Sequence, residues 1–574
     1  MHAIDYIITI ATIVAVVGAG LPYRKYVKSV KDYLLAGRTQ RWPIIALNCQ
    51  ATQSDIADYM GCAGYAYQHG SLGLANYTVN LQAGWLLGAH TIIPQMYRAG
   101  VWTPAEYLEL RFNYAARIWG ALLIVLQRVY VVGAILNLMG IMLEVLTGTS
   151  FLTATIIGAT LAIGYTIIGG ISAAMITGTA QMILMTITSW ILFMAGLIHV
   201  GGWHRLLELT GPGMIKHAIT GETIPVGWWQ FHAIPSAPTM MAGLAFLGML
   251  LSTIPYPIIQ AEQVARPLSA RSEWDARMGY QLAGFVALVH QFAIVPVGAF
   301  AVLAYGYMSK LFNPALGGRP DAVYPYIMKD WLPSGLLGLV LAGVFAATLS
   351  TVPSNTQSCA GILTRDIYAR IIKKDGSDAH YLLVARILTA FNFIAGLFFI
   401  PLVQRGGGYI VVYIKITGAL ISPLFAVFLW GTLTKFLSRN SAFASMIGGG
   451  LFGTYLALFA KTAFPQYPWL SHWLLIPLWN VIFTTIFLFL WSAVENGIRG
   501  RIPENEIEGY TVGTFPPQVK PYLAKRVERI NERGECVETD IPYYGQEGIP
   551  WYKSVKFWGW VVLIYLVAWT IYWW

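Results

Sequence analysis

Long apolar segments recur along almost the whole chain, and they constrain the fold more than any other feature of the sequence. About fourteen are long enough for a membrane helix, which needs roughly 20 apolar residues to cross the hydrocarbon layer. Hydrophobic residues make up 56% of the 574 residues and charged residues only 11%. This composition excludes a soluble enzyme, a nucleic-acid-binding protein, a disordered scaffold and a secreted disulfide-rich domain. The sequence therefore predicts an all-α polytopic membrane protein with spans at 3–21, 43–68, 71–97, 115–146, 150–170, 173–200, 238–260, 277–306, 334–360, 380–404, 408–434, 441–462, 471–495 and 555–573.

Basic residues between the spans predict the orientation, because Lys and Arg concentrate in cytoplasmic loops. The loop after the first span carries six of them between residues 24 and 41, which places this loop inside and the N-terminus outside. Alternation then places four further basic loops in the cytoplasm, near 98–111, 266–271, 365–374 and 435–439. We expect a multi-pass protein of the plasma (inner) membrane with both termini outside.

The second span is unusually polar for a membrane helix. Within eleven residues it contains Asn48, Gln50, Thr52, Gln53, Ser54, Asp55 and Asp58. Lipid cannot solvate these groups, so the segment is predicted to line a cavity and to be broken near 51–55, where helix ends can bind a ligand.

The seventh span has a matching interruption at Pro255 and Pro257, since each proline removes a helical hydrogen bond. On their own, the prolines would equally fit a helix end near the cytoplasmic face. However, four helices lie between the two spans, so the spans are five positions apart and cross the membrane in opposite directions. Two discontinuous helices that open two five-helix units of opposite orientation predict a 5+5 inverted-repeat core.

These features divide the chain into five parts. The predicted parts are the first transmembrane helix with its inner loop (1–42), the transport core (43–434, with repeats at 43–200 and 238–434), two peripheral helices (435–495), a cytoplasmic loop (496–554) and the last helix (555–574).

The ninth span carries a small oxygen-bearing face. Ala347, Ser350 and Thr351 lie at i, i+3 and i+4, on one side of a helix. Such hydroxyls usually bond back to their own helix. The alternative is that they face the broken second span and bind a small hard cation together with its carbonyls.

Several motifs together resemble the solute:sodium symporter family, between about residue 31 and about residue 435. They are DYLLAGR at 32–38, GCAG at 61–64, TPAEYLELRFN at 103–113, YTIIGGI at 165–171, ATLST at 347–351 and TRDIY at 364–368. The resemblance implies fourteen helices, an inverted-repeat core at helices two to eleven, and Na⁺ as the coupling ion. It also implies a sodium site made by the carbonyls of Ala51, Ser54 and Ala347 and the hydroxyls of Ser350 and Thr351.

The chain departs from the family pattern at three places. Gly178 stands where the family commonly has an Asp that assists sodium release, so a second ion is not expected from the resemblance. Thr78 follows Tyr77 where sugar-type members have Glu, and the run from Gln260 to Arg266 matches only in part. A sugar is therefore not supported as the solute. The residues expected to bind the solute are Gln53, Asp55, Asp58, Thr78, Gln82, Tyr256, Gln260 and Lys415.

Three charged residues lead to specific structural predictions. Arg128 begins well inside the fourth span and should meet a carboxylate or helix-end carbonyls. By the resemblance, Asp58 and Lys415 stand where sugar-type members use two amides, and we expect them to face one another. They would either form a salt bridge that closes the pathway or hold a zwitterion between them. Asp55 could serve in place of Asp58.

The predicted function is sodium-coupled import of a small polar organic solute by alternating access, without enzymatic activity. A proton-coupled carrier that uses Asp55 or Asp58 is the alternative within the same class. A transporter-like solute sensor is the alternative from another class, although no signalling domain follows the last span. The expected partners are the solute and the lipid bilayer, with no nucleic acid and no obligatory protein partner evident.

Overall fold

The structure is a computed structural model that describes residues 1–20, 38–70, 81–168, 171–216, 221–223, 227–229, 242–307, 318–406, 408–512, 514, 527–530, 536–538 and 550–574. Helices dominate the described residues. In the first half they are α1 (Ala3–Gly20), α2 (Trp42–Gln53), a π-helical turn (Ala57–Gly61), α3 (Cys62–His69), α4 (Leu81–His90), α5 (Ile92–Ala99), α6 (Pro104–Arg111), α7 (Tyr114–Thr147), α8 (Phe151–Ile168), α9 (Ile171–Val200), α10 (Trp203–Leu209), α11 (Ala242–Thr253), α12 (Pro255–Ile259) and α13 (Ala261–Leu268).

The second half continues the same pattern and adds two short strands. Its elements are α14 (Glu273–Ile294), α15 (Pro296–Tyr305), a 3₁₀ turn (Pro320–Ala322), α16 (Val323–Trp331), α17 (Leu336–Ile362) with a π-helical extension (Leu363–Ile372), α18 (Asp378–Leu397), α19 (Ile400–Arg405), α20 (Tyr409–Leu433), α21 (Ser441–Ala463), α22 (Pro468–Ser471), a 3₁₀ turn (Trp473–Leu475), α23 (Ile476–Arg499), α24 (Glu504–Ile507), β1 (Val527–Ile530), β2 (Cys536–Glu538), a 3₁₀ turn (Trp551–Lys553) and α25 (Val555–Trp573). The two strands pair antiparallel within the predicted cytoplasmic loop.

Long apolar helices confirm the membrane class. Among the described residues, nine helices are long and apolar enough to cross a membrane, and the bent pair Gly243–Ile259 with Ala261–Leu268 makes a tenth. Helices lie within each predicted span, but several are too short or too interrupted to qualify singly. The count of fourteen therefore stays a prediction.

Side chains that the sequence places just before helices fix where these helices begin. The Thr103 hydroxyl accepts a hydrogen bond from the Glu106 N–H at the start of α6, and Pro104 occupies its first position. The Asn113 side chain accepts one from the Ala116 N–H at the start of α7. Both caps satisfy N–H groups that a helix start leaves without partners, and they place α7 with its charged residues in a defined register.

Ion pairs join loops that alternation assigns to the same side. On the predicted inner side, Arg98 pairs with Glu273 at 2.7 Å and Arg117 pairs with Asp366 at 2.5 Å. On the predicted outer side, Arg319 pairs with Glu144 at 2.7 Å. Each of these three pairs joins segments that the charge pattern assigns to one side.

The interruption of the seventh span lies later than predicted. Pro255 begins the short helix α12, and the chain bends by 49° at Gln260, between α12 and α13. A proline is tolerated in the first turn of a helix, where its missing N–H has no helical acceptor. The two prolines therefore start a helical segment, and the extended backbone of Gln260 (φ −68°, ψ 127°) breaks the span.

Candidate functional site

The second span is broken at Ser54 and Asp55, within the predicted interval. Ser54 has extended backbone (φ −76°, ψ 117°) after the last residue of α2. The Asp55 carboxylate stabilises the break, because its Oδ1 accepts a hydrogen bond from the Ala57 N–H at 2.6 Å. A helix that ends here leaves its last carbonyls without helical partners, and these carbonyls face α17.

Both predicted hydroxyls of α17 reach the carbonyls at the break. Ser350 Oγ lies 2.6 Å from the Ala51 carbonyl oxygen and 2.7 Å from that of Ala347. Thr351 Oγ1 lies 3.0 Å from the Thr52 carbonyl oxygen and 3.1 Å from that of Ser54. The structure thus brings together all five residues that the resemblance implies for a sodium site.

The chemistry of this oxygen cluster suits a small hard cation. Two hydroxyl oxygens and the carbonyl oxygens of Ala51, Ser54 and Ala347 converge, with the Thr52 carbonyl oxygen beside them. Hard cations prefer oxygen ligands. The bond from Ser350 to Ala347 is ordinary back-bonding within one helix. The bonds from Ser350 and Thr351 to α2 cross between two helices, so back-bonding does not account for them.

A cavity of about 40 Å³ lies beside the break, toward α7, α12 and α20. It is lined by Gln53, Asp55, Asp58, Leu81, Arg128, Val131, Thr253, Tyr256, Tyr409 and Tyr413. A cavity needs roughly 10–15 Å³ to hold one water molecule, so this cavity holds only a few atoms. Its described lining combines two carboxylates, one guanidinium and three tyrosines.

Arg128 is buried and paired with a carboxylate, as predicted. Its Nη1 lies 2.9 Å from Glu262 Oε1, and the two side chains are 2% and 0% exposed. The guanidinium also lies over the Tyr256 ring, 5.0 Å from its centre. The Tyr413 side chain also contacts the guanidinium, so Arg128 lies among two tyrosines and one carboxylate at the cavity wall.

Asp58 is held by amides. Its carboxylate accepts hydrogen bonds from Gln291 Nε2 at 2.9 Å and from Gln53 Nε2 at 3.2 Å. Gln291 lies on α14, and the sequence analysis did not identify it. The sequence does carry a signal for it, since Gln291 is an amide within the apolar span 277–306. Polar groups at membrane depth are usually functional.

Residues 33–449 match the family model described as the sodium:solute symporter family. This match covers well over half of the chain. The chain belongs to the sodium:solute symporter family.

Several relatives are carriers of the same family. The symporter is 25% identical to a sodium/glucose cotransporter of Vibrio parahaemolyticus, over 84% of its own chain and 90% of that protein. It is 27% identical to the sodium/glucose cotransporter 1 of Oryctolagus cuniculus, with coverages of 78% and 71%. It is 25% identical to the sodium/myo-inositol cotransporter of Mus musculus over 76% of its chain, and it spans only 64% of that longer protein.

Solved structures share the fold. A Na⁺-coupled sialic acid symporter in a substrate-bound outward-open state superposes with a TM-score of 0.70 at 19% identity, over 86% of this chain and 98% of that one. A nucleobase-cation-symport-1 family transporter in a closed conformation gives 0.52 at 13% identity, over 83% and 97%. These neighbours confirm the predicted all-α, inverted-repeat fold.

Family membership confirms the predicted function and coupling ion. The symporter moves a small organic solute across a membrane together with sodium. It is a multi-pass membrane protein, and its relatives are transporters rather than enzymes.

The predicted pairing of Asp58 with Lys415 is wrong. Among the described residues no carboxylate lies within ion-pair distance of Lys415, and its electrostatic neighbours are Lys461 and His472. Lys415 does not line the cavity. Its helix, α20, instead turns Tyr409 and Tyr413 toward the cavity, and the cation that faces Asp55 and Asp58 is Arg128.

The other predicted solute ligands divide into three groups. Gln53, Asp55, Asp58 and Tyr256 line the cavity. Gln82 and Gln260 are buried but do not line it, and the Gln82 amide donates a hydrogen bond to the Gly284 carbonyl. Thr78 lies outside the described residues.

The environment of Gly178 explains how the chain accommodates its departure from the family pattern. A Cβ atom built on Gly178 would lie 2.5 Å from Asn48 Oδ1. Asn48 is held in place by a bond from its Nδ2 to the Thr179 hydroxyl at 3.0 Å. An Asp at this position would therefore displace the Asn48 side chain from this hydrogen bond.

Proposed function

We propose that the symporter imports a small solute that carries a protonated amine, and that Asp55 and Asp58 bind this group. The observation that carries the proposal is the charge of the cavity. Two carboxylates line it, whereas the positive charge of Arg128 is already opposed by Glu262. Asp55, Asp58 and Glu262 therefore share the guanidinium of Arg128 among the described residues of this site. Buried carboxylates that outnumber the cations beside them are costly, so a cationic group on the solute is favoured.

The aromatic lining supports the same solute class. Tyr409 and Tyr413 stack with ring centres 5.7 Å apart, and Tyr256 lies on the opposite helix α12. Tyrosine faces attract ammonium groups by cation–π interaction. Where the solute also carries a carboxylate, the Arg128 guanidinium at the cavity wall is its donor, which makes a zwitterion acceptable.

A neutral sugar fits this cavity poorly. Glucose and myo-inositol, for which two relatives are named, carry no formal charge. They would leave the carboxylates of Asp55 and Asp58 without an added cation. The proposal keeps four of the solute ligands predicted from the sequence, namely Gln53, Asp55, Asp58 and Tyr256. It adds Arg128, Tyr409 and Tyr413.

We also propose that sodium binds at the oxygen cluster of Ala51, Ser54, Ala347, Ser350 and Thr351. The convergence of five oxygens from two helices supports this assignment. Because Ser54 and Asp55 are adjacent, a bound sodium ion would stabilise the break that positions both cavity carboxylates. This adjacency links ion binding to solute binding.

The remaining proposals follow the charge pattern of the loops. We propose a location in the plasma (inner) membrane with both termini outside, domain boundaries at 42, 434, 495 and 554, and no obligatory protein partner. The segregation of loop ion pairs supports the alternation on which the orientation rests.

Uptake into proteoliposomes tests the solute class. With an inward sodium gradient, labelled primary amines, quaternary amines and amino acids are compared with glucose and myo-inositol. We expect sodium-dependent uptake only for solutes with an ammonium group, and we expect Asp58→Asn to abolish it. Asp5→Asn is the matched control, because this buried carboxylate on α1 lies outside the cavity and accepts hydrogen bonds from the backbone of Gly335 and Gly338. Uptake of the neutral polyols alone would contradict the proposal.

A further inference from the structure

Arg266 is a buried cation that neither the solute cavity nor an ion pair explains. Its side chain on α13 is 1% exposed. Nε and Nη2 donate to the Thr52 hydroxyl at 3.1 and 2.8 Å, and Nη2 also donates to the Ser354 hydroxyl at 2.8 Å. The guanidinium therefore joins both broken spans, α2 and α13, to α17.

Each partner of Arg266 is one step from the proposed sodium ligands. The Thr52 carbonyl accepts a hydrogen bond from the Thr351 hydroxyl at 3.0 Å. The Ser354 hydroxyl donates to the Ser350 carbonyl at 2.7 Å. Arg266 thus contacts a residue that bonds to each of the two hydroxyl-bearing ligands.

Ser354 lies on the predicted cytoplasmic side of the oxygen cluster, and Thr52 lies level with the cluster. The chain rises from the inner loop through α2, where Thr52 lies between the ligands Ala51 and Ser54. It descends toward the inner loop through α17, so Ser354 comes one turn, about 6 Å, below Ser350. Arg266 lies in the last turn of α13, which leads into the predicted inner loop. Its bond to Ser354 therefore places it between the proposed sodium site and the cytoplasm.

The charge of Arg266 is not neutralised locally. Among the described residues no carboxylate lies within ion-pair distance of it, and its Nη1 has no hydrogen-bond partner. The carboxylate one turn before it, Glu262, is paired with Arg128. A buried charge without a counter-charge is costly to keep, and a cation that leaves the site inward would be repelled by it.

We propose that Arg266 is the positioning residue that closes the sodium site toward the cytoplasm. The inference rests on the sodium site proposed above. Thr52 and Arg266 both belong to the broken spans, so their bonds hold those spans together. The bond between Arg266 and Ser354 crosses to α17 and must break before the ion leaves. Sodium release therefore requires α2 and α13 to separate from α17.

Measurements of ²²Na⁺ flux in proteoliposomes of the full-length symporter test this role. Ser354→Ala removes the bond that crosses to α17 and keeps the charge. We expect solute-free ²²Na⁺ flux and the sodium half-saturation of solute uptake each to rise at least threefold, with the solute KM at saturating sodium unchanged. We expect the solute-free flux of Arg266→Gln to exceed that of Ser354→Ala. We expect the flux of Arg266→Lys, which retains the charge, to lie closer to the wild-type value than that of Arg266→Gln.

The control and the decisive outcomes use the same assay. Thr356→Ala is the matched control, because this buried hydroxyl on α17 bonds only to carbonyls of its own helix, and we expect wild-type flux. Wild-type solute-free flux in a folded Ser354→Ala protein would overturn the gate role, even if Arg266→Gln cannot be purified. If the double variant Ser350→Ala/Thr351→Ala loses its sodium dependence in that case, the sodium site stands and only the gate fails. Unchanged sodium dependence in the double variant would overturn both.

Discussion

Replacing Glu262 with Gln leaves the guanidinium of Arg128 buried without its counter-charge. The two side chains are 2% and 0% exposed and lie 2.9 Å apart, so water cannot take over the role of the carboxylate. Removing one partner of a buried ion pair typically costs about 3–5 kcal/mol. Folded proteins have about 5–15 kcal/mol of stability in total, so we expect a large loss in the free energy of unfolding.

The same reasoning predicts recovery when both charges are removed. Replacing a buried pair with apolar residues of similar volume is often neutral or stabilising, so Arg128→Met/Glu262→Leu should regain most of the lost stability. This double variant should still fail to transport, because Arg128 lines the solute cavity. The double variant is therefore expected to be more stable than Glu262→Gln and yet inactive in transport.

Denaturant unfolding of the purified protein measures these changes. The pair of Arg319 and Glu144 is the matched control, because it joins the same residue types at 2.7 Å but is 46% and 29% exposed. Glu144→Gln should cost at most about 1 kcal/mol. A cost below about 1 kcal/mol for Glu262→Gln, or a double apolar variant as unstable as the single one, would refute the reasoning.

Two further predictions concern the ion site and the outer segment. Ser350→Ala/Thr351→Ala removes two cation ligands. Each such ligand contributes about 1.5–3 kcal/mol when bonded to a charged group, so the sodium half-saturation of uptake should rise at least about tenfold. Thr348→Ser should leave the half-saturation unchanged, because the Thr348 hydroxyl bonds only within its own helix. Burial raises the pKa of Asp321 from 3.8 to about 6 and outweighs the hydrogen bond from the Tyr409 N–H, which lowers it. Since the folded pKa lies above the unfolded one, this group favours the folded state below about pH 4 and loses that contribution as the pH rises to about 6. Asp321→Asn should remove this part of the pH dependence of thermal unfolding, and an identical pH profile would contradict the assignment.

The break in the second span and the oxygen-bearing face of α17 could be predicted because their signals are local. Polar residues from Asn48 to Asp58 cannot face lipid, and a helix that must bind a ligand within the membrane exposes backbone carbonyls. The i, i+3, i+4 spacing of Ala347, Ser350 and Thr351 then fixes one face of α17. The break and the shared face need only the chain's own periodicity and depth in the membrane. The ligand set of the oxygen cluster was implied by the family resemblance, because hydroxyls in such a pattern usually bond back to their own helix.

The partners of the charged side chains could not be predicted because they depend on how helices rotate about their axes. The depth of Lys415 was readable from its span, but the face of α20 that turns toward the cavity carries Tyr409 and Tyr413. Glu262 was not predicted as the partner of Arg128, because the sequence placed the break of the seventh span at Pro255 and Pro257. The span is broken at Gln260 instead. A break there places Glu262 at the start of α13, beside Arg128.

Parallel measurement of ²²Na⁺ and labelled-solute uptake in the same proteoliposomes tests the central claim most directly. The account predicts that a solute with an ammonium group stimulates ²²Na⁺ entry, that both fluxes rise together with solute concentration, and that Asp58→Asn abolishes both. Stimulation of ²²Na⁺ entry by glucose or myo-inositol, with none by any amine, would contradict it.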